Sequence, residues 1–276
     1  MGGRLAHSRT KSKQLRRSPS YEAIGQFYDD LWGENPQPWR AARSRLLEPL
    51  LLQARQVCEL GCGTGDTAVE FARRGLKVFA LDFSREMCRI TREKARAEGL
   101  DVRVARGDMR AFRLPVQVDL VTSEWGVINH LPARADLVRT FRTIARALRP
   151  GGHFYFDLHQ RKVYEEQWIG ASVGDGVSRD SGRKFFAAQW GGFDERQGKG
   201  WTEMTVFVHR GGNSWERRSE RVEEIYWPHK EIVRDLGRAG FQLVRVLDFV
   251  DEHSEPKPKK VAGGLRTMYL ARKKGG

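Results

Sequence analysis

The sequence predicts an α/β fold in which a doubly wound, mostly parallel sheet carries an antiparallel β insertion. Two observations lead to this prediction. Between residues 57 and 157, short apolar segments alternate with amphipathic ones, the pattern of parallel strands and their crossover helices. Residues 160–227 instead hold alternating polar and apolar segments between glycine-rich turns, which is typical of an antiparallel meander.

Composition limits the class of protein. The 276 residues are 39% hydrophobic and 10% aromatic, which suffices for one large domain with an insertion. No apolar run approaches the roughly 18 residues that span a bilayer, so we expect a soluble protein. The three cysteines lack paired metal-binding spacing, and we interpret Cys58, Cys62 and Cys88 as reduced thiols of a cytoplasmic protein.

The formal net charge of +14 comes mostly from the two ends of the chain. Residues 1–20 hold six Lys or Arg, residues 256–276 hold seven, and neither segment has an acid. Setting these 13 aside leaves 36 basic against 35 acidic residues, so the body is nearly neutral. A nucleic-acid partner is therefore not favoured, although tails that contact RNA are an alternative. We expect residues 1–19 to form a disordered tail.

Ordered structure is expected to begin near Tyr21. The segment YEAIGQFYDDLW that starts there places apolar side chains at helical spacing. A second helix is predicted over residues 39–53, with Arg40, Arg43 and Arg45 on its polar side.

The first predicted strand ends in the stretch VCELGCGTG. Gly61, Gly63 and Gly65 predict a tight turn at which the backbone approaches a ligand, and Asp66 then offers an N-cap to a helix. The stretch lacks the glycine spacing of a dinucleotide fingerprint and the lysine of a phosphate-binding loop. Two acids, Glu59 and Asp66, would repel a pyrophosphate, so the charge pattern favours a cationic ligand.

With four later segments, this loop resembles the first motif of class I S-adenosylmethionine-dependent methyltransferases. The resemblance continues, in the order and spacing of that family, through VFALDFS (78–84), GDMRAF (107–112), VDLVTSEWGVINHL (118–131) and LRPGGHFYFDLH (148–159). It implies a Rossmann-like sheet of seven strands with one antiparallel strand, and S-adenosyl-L-methionine as the cofactor.

The resemblance also implies which residues hold the cofactor. Glu59 and the glycine loop, with Cys62 inside it, would bind the methionyl part. Asp82 would accept hydrogen bonds from both ribose hydroxyls, and Phe83 would lie against the adenine. For Asp82 the alternative is an N-cap, although Ser84 is the better cap for the helix that follows.

Further cofactor contacts are expected after the third and fourth strands. Asp108 would accept from the adenine amino group while Met109 covers the ring, with turn capping as the alternative for Asp108. Glu124 and Trp125 are assigned to the same pocket. Tyr28 is expected to lie over the cofactor or the acceptor, with simple core packing as the alternative.

The segment after the fourth strand matches neither common base-methylation chemistry. It contains Ser-Glu-Trp-Gly where amine-methylating enzymes of nucleobases carry Asn or Asp before Pro-Pro-aromatic, and no cysteine follows it. A general base in the enzyme is needed only when the methyl acceptor must lose a proton. His130 and His159 are the candidates, and a hydrogen-bonded structural role is the alternative for each.

We interpret residues 160–227 as a lid over the acceptor site. Five of the eight tryptophans lie there, which suits an aromatic pocket wall. This favours a small-molecule acceptor methylated at nitrogen or oxygen, with an RNA methyltransferase or a non-catalytic cofactor-binding subunit as alternatives. A homodimer is left open.

The predicted organisation follows from these interpretations. Residues 20–159 would form the cofactor-binding core, and residues 228–276 its C-terminal part. Within the latter, residues 251–263 are expected to be a mobile loop between the last two strands.

Overall fold

The computed structural model describes residues 21–33, 37–179, 181–250, 257–258 and 264–275. The basic tail predicted for residues 1–19 lies outside these ranges, as does most of the loop predicted for residues 251–263. Within the described ranges, the helices are too short or too polar to cross a membrane.

The described chain begins with short helical segments. Tyr21 adopts a φ of +68°, a 3-10 turn spans Gly25–Phe27, and helix α1 spans Tyr28–Trp32. Helix α2 follows at Gln37–Leu51. The predicted polar-face position of Arg43 is wrong: it is only 7% exposed, because its guanidinium pairs with the buried Glu124 carboxylate and with the partly exposed Glu70.

The main sheet confirms the doubly wound prediction. Five neighbouring strands pair in parallel in the order β3-β2-β1-β4-β5. They are β1 (Gln56–Leu60), β2 (Lys77–Asp82), β3 (Val102–Arg106), β4 (Val118–Ser123) and β5 (Leu148–His159). Strands β1, β2, β4 and β5 are mostly buried and largely apolar, as strands covered on both faces require, whereas the edge strand β3 has no buried residue.

Crossover helices cover both faces of this sheet. They are α3 (Asp66–Arg73), α4 (Arg85–Ala97) and α5 (Arg134–Ala147), with a 3-10 turn at Val127–His130. The predicted Asp66 cap is wrong, because α3 begins at Asp66 itself after a left-handed Gly65. Ser84 caps α4 as expected by accepting a hydrogen bond from the Met87 amide at 3.2 Å.

The C-terminal part completes the sheet. After helix α7 (His229–Arg238), strand β10 (Phe241–Phe249) pairs with β12 (Arg266–Lys273), which runs antiparallel between β10 and β5. The seven-stranded arrangement is therefore confirmed. A two-residue strand, β11 (Lys257–Pro258), extends it beyond β10.

A second sheet is inserted between β5 and α7. Helix α6 (Arg161–Val163) and a π-helical turn (Tyr164–Trp168) lead into an antiparallel meander, β6-β7-β8-β9. Its strands are β6 (Gly170–Val177), β7 (Lys184–Asp194), β8 (Lys199–Gly211) and β9 (Ser214–Ile225). The predicted meander is confirmed. Strand β6 was not predicted, because it is almost wholly exposed and has no apolar alternation.

The N-terminal segment joins the two sheets. Ile24 and Phe27 are fully buried in one apolar cluster with Phe185 and Val206 of the inserted sheet. On its other side, the Asp29 carboxylate accepts from the glycine loop and from α4. The inserted sheet is thereby held above the carboxyl ends of the parallel strands.

Candidate active site

The glycine loop between β1 and α3 has the geometry that the sequence predicts. Gly61, Gly63 and Gly65 all have positive φ, between +53° and +93°. A Cβ on Gly61 would clash with Val127, and one on Gly65 would lie 2.7 Å from Thr91 Cγ2. A Cβ on Gly63 would meet no described atom within 4 Å. Packing therefore requires glycine at two positions, and the third faces open space.

This loop borders a cleft of about 360 Å³ at the carboxyl ends of the parallel strands. Eleven of the twelve predicted cofactor residues line the cleft: Tyr28, Glu59, Gly61, Cys62, Gly63, Asp82, Phe83, Asp108, Met109, Glu124 and Trp125. Gly65 lies behind the loop instead, against α4. The predicted base His130 also lines the cleft, whereas His159 does not.

Two buried carboxylates face this cleft. Glu59 is 4% and Glu124 is 2% exposed, and burial raises the pKa of both carboxyls. Arg43 donates to Glu124 Oε2 at 2.6 Å, but Glu124 Oε1 and Glu59 Oε2 have no hydrogen-bond partner in the described part of the chain. Buried acceptors without donors are costly, and the ammonium of a methionyl group would satisfy both. The cleft therefore fits the expected cofactor at this end.

The end of β2 supplies a carboxylate and an exposed ring. Asp82 Oδ2 accepts from the Gly63 amide at 2.9 Å, and Oδ1 accepts from the Ser84 amide at 2.8 Å. Each oxygen keeps a second lone pair with which it can accept from a hydroxyl. Phe83 is 48% exposed at the cleft, with the Arg106 guanidinium 5.7 Å from its ring centroid. The ring is therefore accessible from the cleft, and its contact with adenine stays a prediction.

Asp108 is engaged by its own turn. Its carboxylate accepts from the Arg110 amide at 2.8 Å and forms a bidentate pair with the Arg110 guanidinium, which lowers the pKa of Asp108. The structure thus contains the turn-capping interaction that was the alternative for this residue. Its adenine contact, and that of the neighbouring Met109, stay predictions.

Trp125 is held in an unusual backbone conformation. Its φ is +66°, which non-glycine residues rarely adopt. The buried Asp157 carboxylate accepts from the Trp125 amide at 2.6 Å and from the Gly126 amide at 3.2 Å. Arg266 lies 3.4 Å from the same carboxylate and 5.1 Å from the Trp125 ring centroid. This cluster fixes the ring at the edge of the cleft.

A second cavity of about 390 Å³ adjoins the cleft beneath the inserted sheet. We call it the lid chamber. Tyr21, Tyr28 and Trp125 line both cavities, so they form the boundary between them. The other aromatic walls of the lid chamber are Trp32, Trp39, Trp168 and Phe249, and its charged members are Glu224 and Arg266.

His159 lies in the lid chamber with both ring nitrogens bonded. Arg266 Nη2 lies 2.8 Å from Nε2, and because arginine only donates, Nε2 carries the lone pair. The hydrogen is therefore on Nδ1, which donates to Glu224 Oε2 at 2.8 Å. Both ring nitrogens are thus engaged by the protein. The structure contains the hydrogen-bonded arrangement that was the alternative for His159, and its catalytic role stays a prediction.

His130 approaches the same carboxylate from the cofactor cleft. Its Nδ1 lies 3.3 Å from the Glu223 carbonyl oxygen and its Nε2 lies 3.5 Å from Glu224 Oε1. Burial opposes ionisation of Glu224, but the hydrogen bonds from His159 and from the Tyr164 hydroxyl favour its ionised form and hold its pKa below the ordinary value. The sequence does not predict a functional role for Glu224. It is one of several acids in the charged strand β9, and only its contacts in the folded protein distinguish it.

Comparisons with known proteins agree with this geometry. Residues 57–152 match the family model described as a methyltransferase domain. Over 244 residues, the chain is 26% identical to the Bacillus subtilis protein named Putative methyltransferase YqeM, covering 87% of this chain and 94% of that protein. The chain is a class I S-adenosylmethionine-dependent methyltransferase. This methyltransferase is also 30% identical, over 56% of its length, to 64% of the ubiquinone biosynthesis O-methyltransferase of Serratia proteamaculans.

Solved structures share the fold of this methyltransferase. An S-adenosylmethionine-dependent methyltransferase from Clostridium acetobutylicum aligns with a TM-score of 0.73 at 22% identity, covering 92% of this chain and 99% of that one. The sugar N-methyltransferase KedS8 from a Streptoalloteichus species aligns with a TM-score of 0.72 at 17% identity, covering 99% and 100%. Both alignments extend over nearly the whole of this chain.

Proposed function

We propose that this methyltransferase transfers a methyl group to a nitrogen or oxygen of a small-molecule acceptor that binds in the lid chamber. One observation carries the proposal: the lid chamber and the cofactor cleft share Tyr21, Tyr28 and Trp125 as walls. An acceptor in the chamber would therefore adjoin the cofactor. When bound, S-adenosylmethionine supplies an electrophilic methyl group on a sulfonium.

The chain's own residues would bind the cofactor and exclude water. Glu59 and Glu124 would hold the methionyl ammonium, and Asp82 would orient the ribose. The aromatic boundary would displace water from the space between cofactor and acceptor. Alignment and desolvation supply much of the rate of an in-line displacement, so this arrangement is sufficient for chemistry on a neutral acceptor.

The size and charge of the chamber support a small acceptor. A partly enclosed cavity of about 390 Å³ is in the range of small-ligand sites. The chain outside its two basic ends is nearly neutral, which disfavours a phosphate backbone. The names of the relatives include an O-methyltransferase and a sugar N-methyltransferase, which supports both nitrogen and oxygen as candidate atoms.

The test is methyl transfer from labelled S-adenosylmethionine to libraries of amines, phenols and alcohols, with bulk RNA in parallel at two salt concentrations. Gln189→Trp should fill the lid chamber and abolish transfer to small acceptors without loss of S-adenosylhomocysteine binding, because Gln189 lines only that chamber. Gln197→Trp, in an exposed turn of the same sheet, is the control. Salt-sensitive methylation of RNA, with no small acceptor modified, would contradict the proposal.

We include a cytoplasmic location in the proposal. Cys58, Cys62 and Cys88 are free thiols and all are buried, which suits a reducing compartment. The RNA alternative depends on the basic tails, and removal of residues 1–19 should leave small-molecule activity unchanged if the proposal holds. Sedimentation of the purified enzyme would establish whether it forms a homodimer.

A further inference from the structure

We propose that Glu224 is the carboxylate that recognises the acceptor, that the acceptor is a primary or secondary amine, and that Glu224 and His130 together accept its proton. This inference rests on the proposed function and deepens it. Four observations support it: the charge balance of the lid chamber, its aromatic walls, the pairing of Glu224, and the orientation of His130 in the adjoining cofactor cleft.

The charge balance of the chamber favours a cation. Arg266 is the basic group in the described lining, and the buried Asp157 carboxylate lies 3.4 Å from it. Because Arg266 donates to its Nε2, His159 is in its neutral form. The Glu224 carboxylate is therefore left without a fixed counter-charge on the chamber side. A buried carboxylate in this position favours a ligand that brings a positive charge.

The walls of the chamber favour the same kind of ligand. Tyr21, Tyr28 and four tryptophans surround it, and aromatic faces attract ammonium groups through the ring quadrupole. The tryptophans are Trp32, Trp39, Trp125 and Trp168. An alcohol of the same shape would gain the apolar contact but neither the cation–π attraction nor the ion pair.

Glu224 is held in one orientation by two fixed donors. Oε2 accepts from His159 Nδ1 at 2.8 Å and from the Tyr164 hydroxyl at 2.9 Å. These bonds occupy Oε2, whereas Oε1 lies 3.5 Å from His130 Nε2. A carboxylate oxygen has two lone pairs, so Oε1 can accept from a ligand beside His130, and the bonds to Oε2 fix its direction.

The orientation of His130 leaves a place for one proton beside Oε1. The Glu223 carbonyl can only accept, so the hydrogen of a neutral His130 is on Nδ1. Nε2 then points a lone pair at Glu224 Oε1 from 3.5 Å. Two lone pairs facing each other repel, and one added proton converts the contact into a charge-assisted hydrogen bond. The pair is therefore built to accept a proton.

An amine that binds in its protonated form must lose a proton before its nitrogen can attack the methyl group. The N–H bond breaks, its proton passes to Glu224 Oε1 and on to His130 Nε2, and the electron pair stays on nitrogen. The nitrogen becomes a neutral nucleophile. Desolvation by the aromatic walls lowers the pKa of an ammonium. The pKa difference between the ammonium and the groups that take its proton therefore becomes smaller.

The first experiment measures binding rather than turnover. Cyclohexylamine and cyclohexanol have the same ring, and their binding to the enzyme saturated with S-adenosylhomocysteine would be followed by tryptophan fluorescence. We expect wild type to prefer the amine, and Glu224→Gln to lose about tenfold or more of that preference, as for a hydrogen bond to a charged group. Glu223→Gln is the control, because that side chain pairs with Lys199 and Arg221 outside the chamber.

The second experiment measures methylation of the best cyclic amine from the library. Loss of a proton-accepting group should lower kcat/KM by about 100-fold in Glu224→Gln, with S-adenosylhomocysteine affinity within about threefold of wild type. Added formate should restore part of the rate to Glu224→Ala and should not affect Glu223→Ala. A merely structural role for Glu224 would not give formate rescue.

The outcomes separate this inference from the proposed function. Wild-type enzyme that binds and methylates alcohols or phenols but no amine would overturn the inference and leave the proposed function intact. Equal amine preference in wild type and Glu224→Gln, or no binding of either ring compound, would also overturn it. Failure to methylate any small molecule would overturn the proposed function itself.

Discussion

At the scale of single residues, this methyltransferase depends on buried carboxylates that each face a different set of donors. Asp157 accepts from two backbone amides, Glu224 accepts from a histidine and a tyrosine, and Glu59 has an oxygen with no donor in the described chain. Asp157 and Glu224 each accept hydrogen bonds from the protein on at least one oxygen, and these bonds position the residues that donate them. The unsatisfied Glu59 oxygen instead indicates a ligand.

Asp157→Asn tests the positioning of Trp125. An amide keeps only one acceptor oxygen, so one backbone amide and Arg266 would lose a partner inside the protein. Breaking a buried pair of this kind is expected to cost about 3 kcal/mol of the free energy of unfolding in urea. Asp175→Asn, exposed on β6, should change it by less than about 0.5 kcal/mol. Equal midpoints for the two variants would show that the Trp125 conformation is not maintained by Asp157.

Glu59 should make cofactor binding pH-dependent. Burial raises its pKa, so the free enzyme keeps a proton on this carboxyl at pH values where an ordinary glutamate is ionised. An ammonium binds the ionised form and releases that proton, so affinity for S-adenosylhomocysteine should rise with pH until the raised pKa is passed. Calorimetry across pH, in buffers of different ionisation enthalpy, measures both effects.

The control for this prediction is a pair of variants. Glu59→Gln should bind S-adenosylhomocysteine more weakly than wild type, and its affinity should depend less steeply on pH. Some pH dependence should remain, because the pKa of Glu124 is also raised. Glu98→Gln, exposed at the end of α4, should match wild type. A pH dependence unaltered in Glu59→Gln would mean that another group titrates with binding.

At the scale of elements, the glycine loop shows that one motif can serve two purposes. Gly61 permits close packing against Val127 in the turn after β4, whereas Gly63 faces open space at the cleft. The loop thus packs against the turn after β4 and also presents backbone to a ligand. Substituting alanine at Gly61 and at Gly63 in turn should separate the packing role from the ligand-binding role.

Gly61→Ala should reduce stability, and Gly63→Ala should mainly reduce cofactor affinity. Both add the cost of a positive φ, roughly 1 kcal/mol, but only Gly61→Ala also creates a clash. Adding Val127→Ala should recover part of the unfolding free energy lost by Gly61→Ala and none of the affinity lost by Gly63→Ala. Thermal unfolding and calorimetry measure the two quantities, and recovery in both backgrounds would refute this division.

At the scale of the whole molecule, the N-terminal segment holds the inserted sheet over the catalytic core. Phe27 is fully buried and its ring centroid lies 5.5 Å from that of Phe185 on β7. The same segment contributes Tyr21 and Tyr28 to the boundary between the two cavities. Loosening this contact should therefore affect the sheet and the boundary together.

Phe27→Ala is the test of this coupling. It should cost about 3 kcal/mol of unfolding free energy and accelerate hydrogen exchange of the β7 and β8 amides, because a large cavity would form beneath them. Phe186→Ala is the matched control, since Phe186 is the next residue after Phe185 and is partly exposed. Unchanged exchange in Phe27→Ala would show that the inserted sheet is stable without the N-terminal segment.

The sequence by itself determined the parallel sheet, the cofactor and most of the cleft. These features are local in the chain: each strand end carries its functional residue within a few positions, so alternation, glycines and acids are visible as motifs. Because these motifs are local, the sequence resembles class I methyltransferases segment by segment, and that resemblance implies a shared site for Glu59, Asp82 and Trp125, which line one cleft.

Only the tertiary structure decided what surrounds the acceptor. Arg43 was predicted on a polar face and is buried, because its partner Glu124 is 81 residues away in the chain. Glu224 faces His159 across 65 residues, and no spacing rule links β9 of the inserted sheet to the end of β5. Pairing between distant segments depends on how the two sheets pack, and that information appears in the sequence only as ordinary charged and aromatic residues.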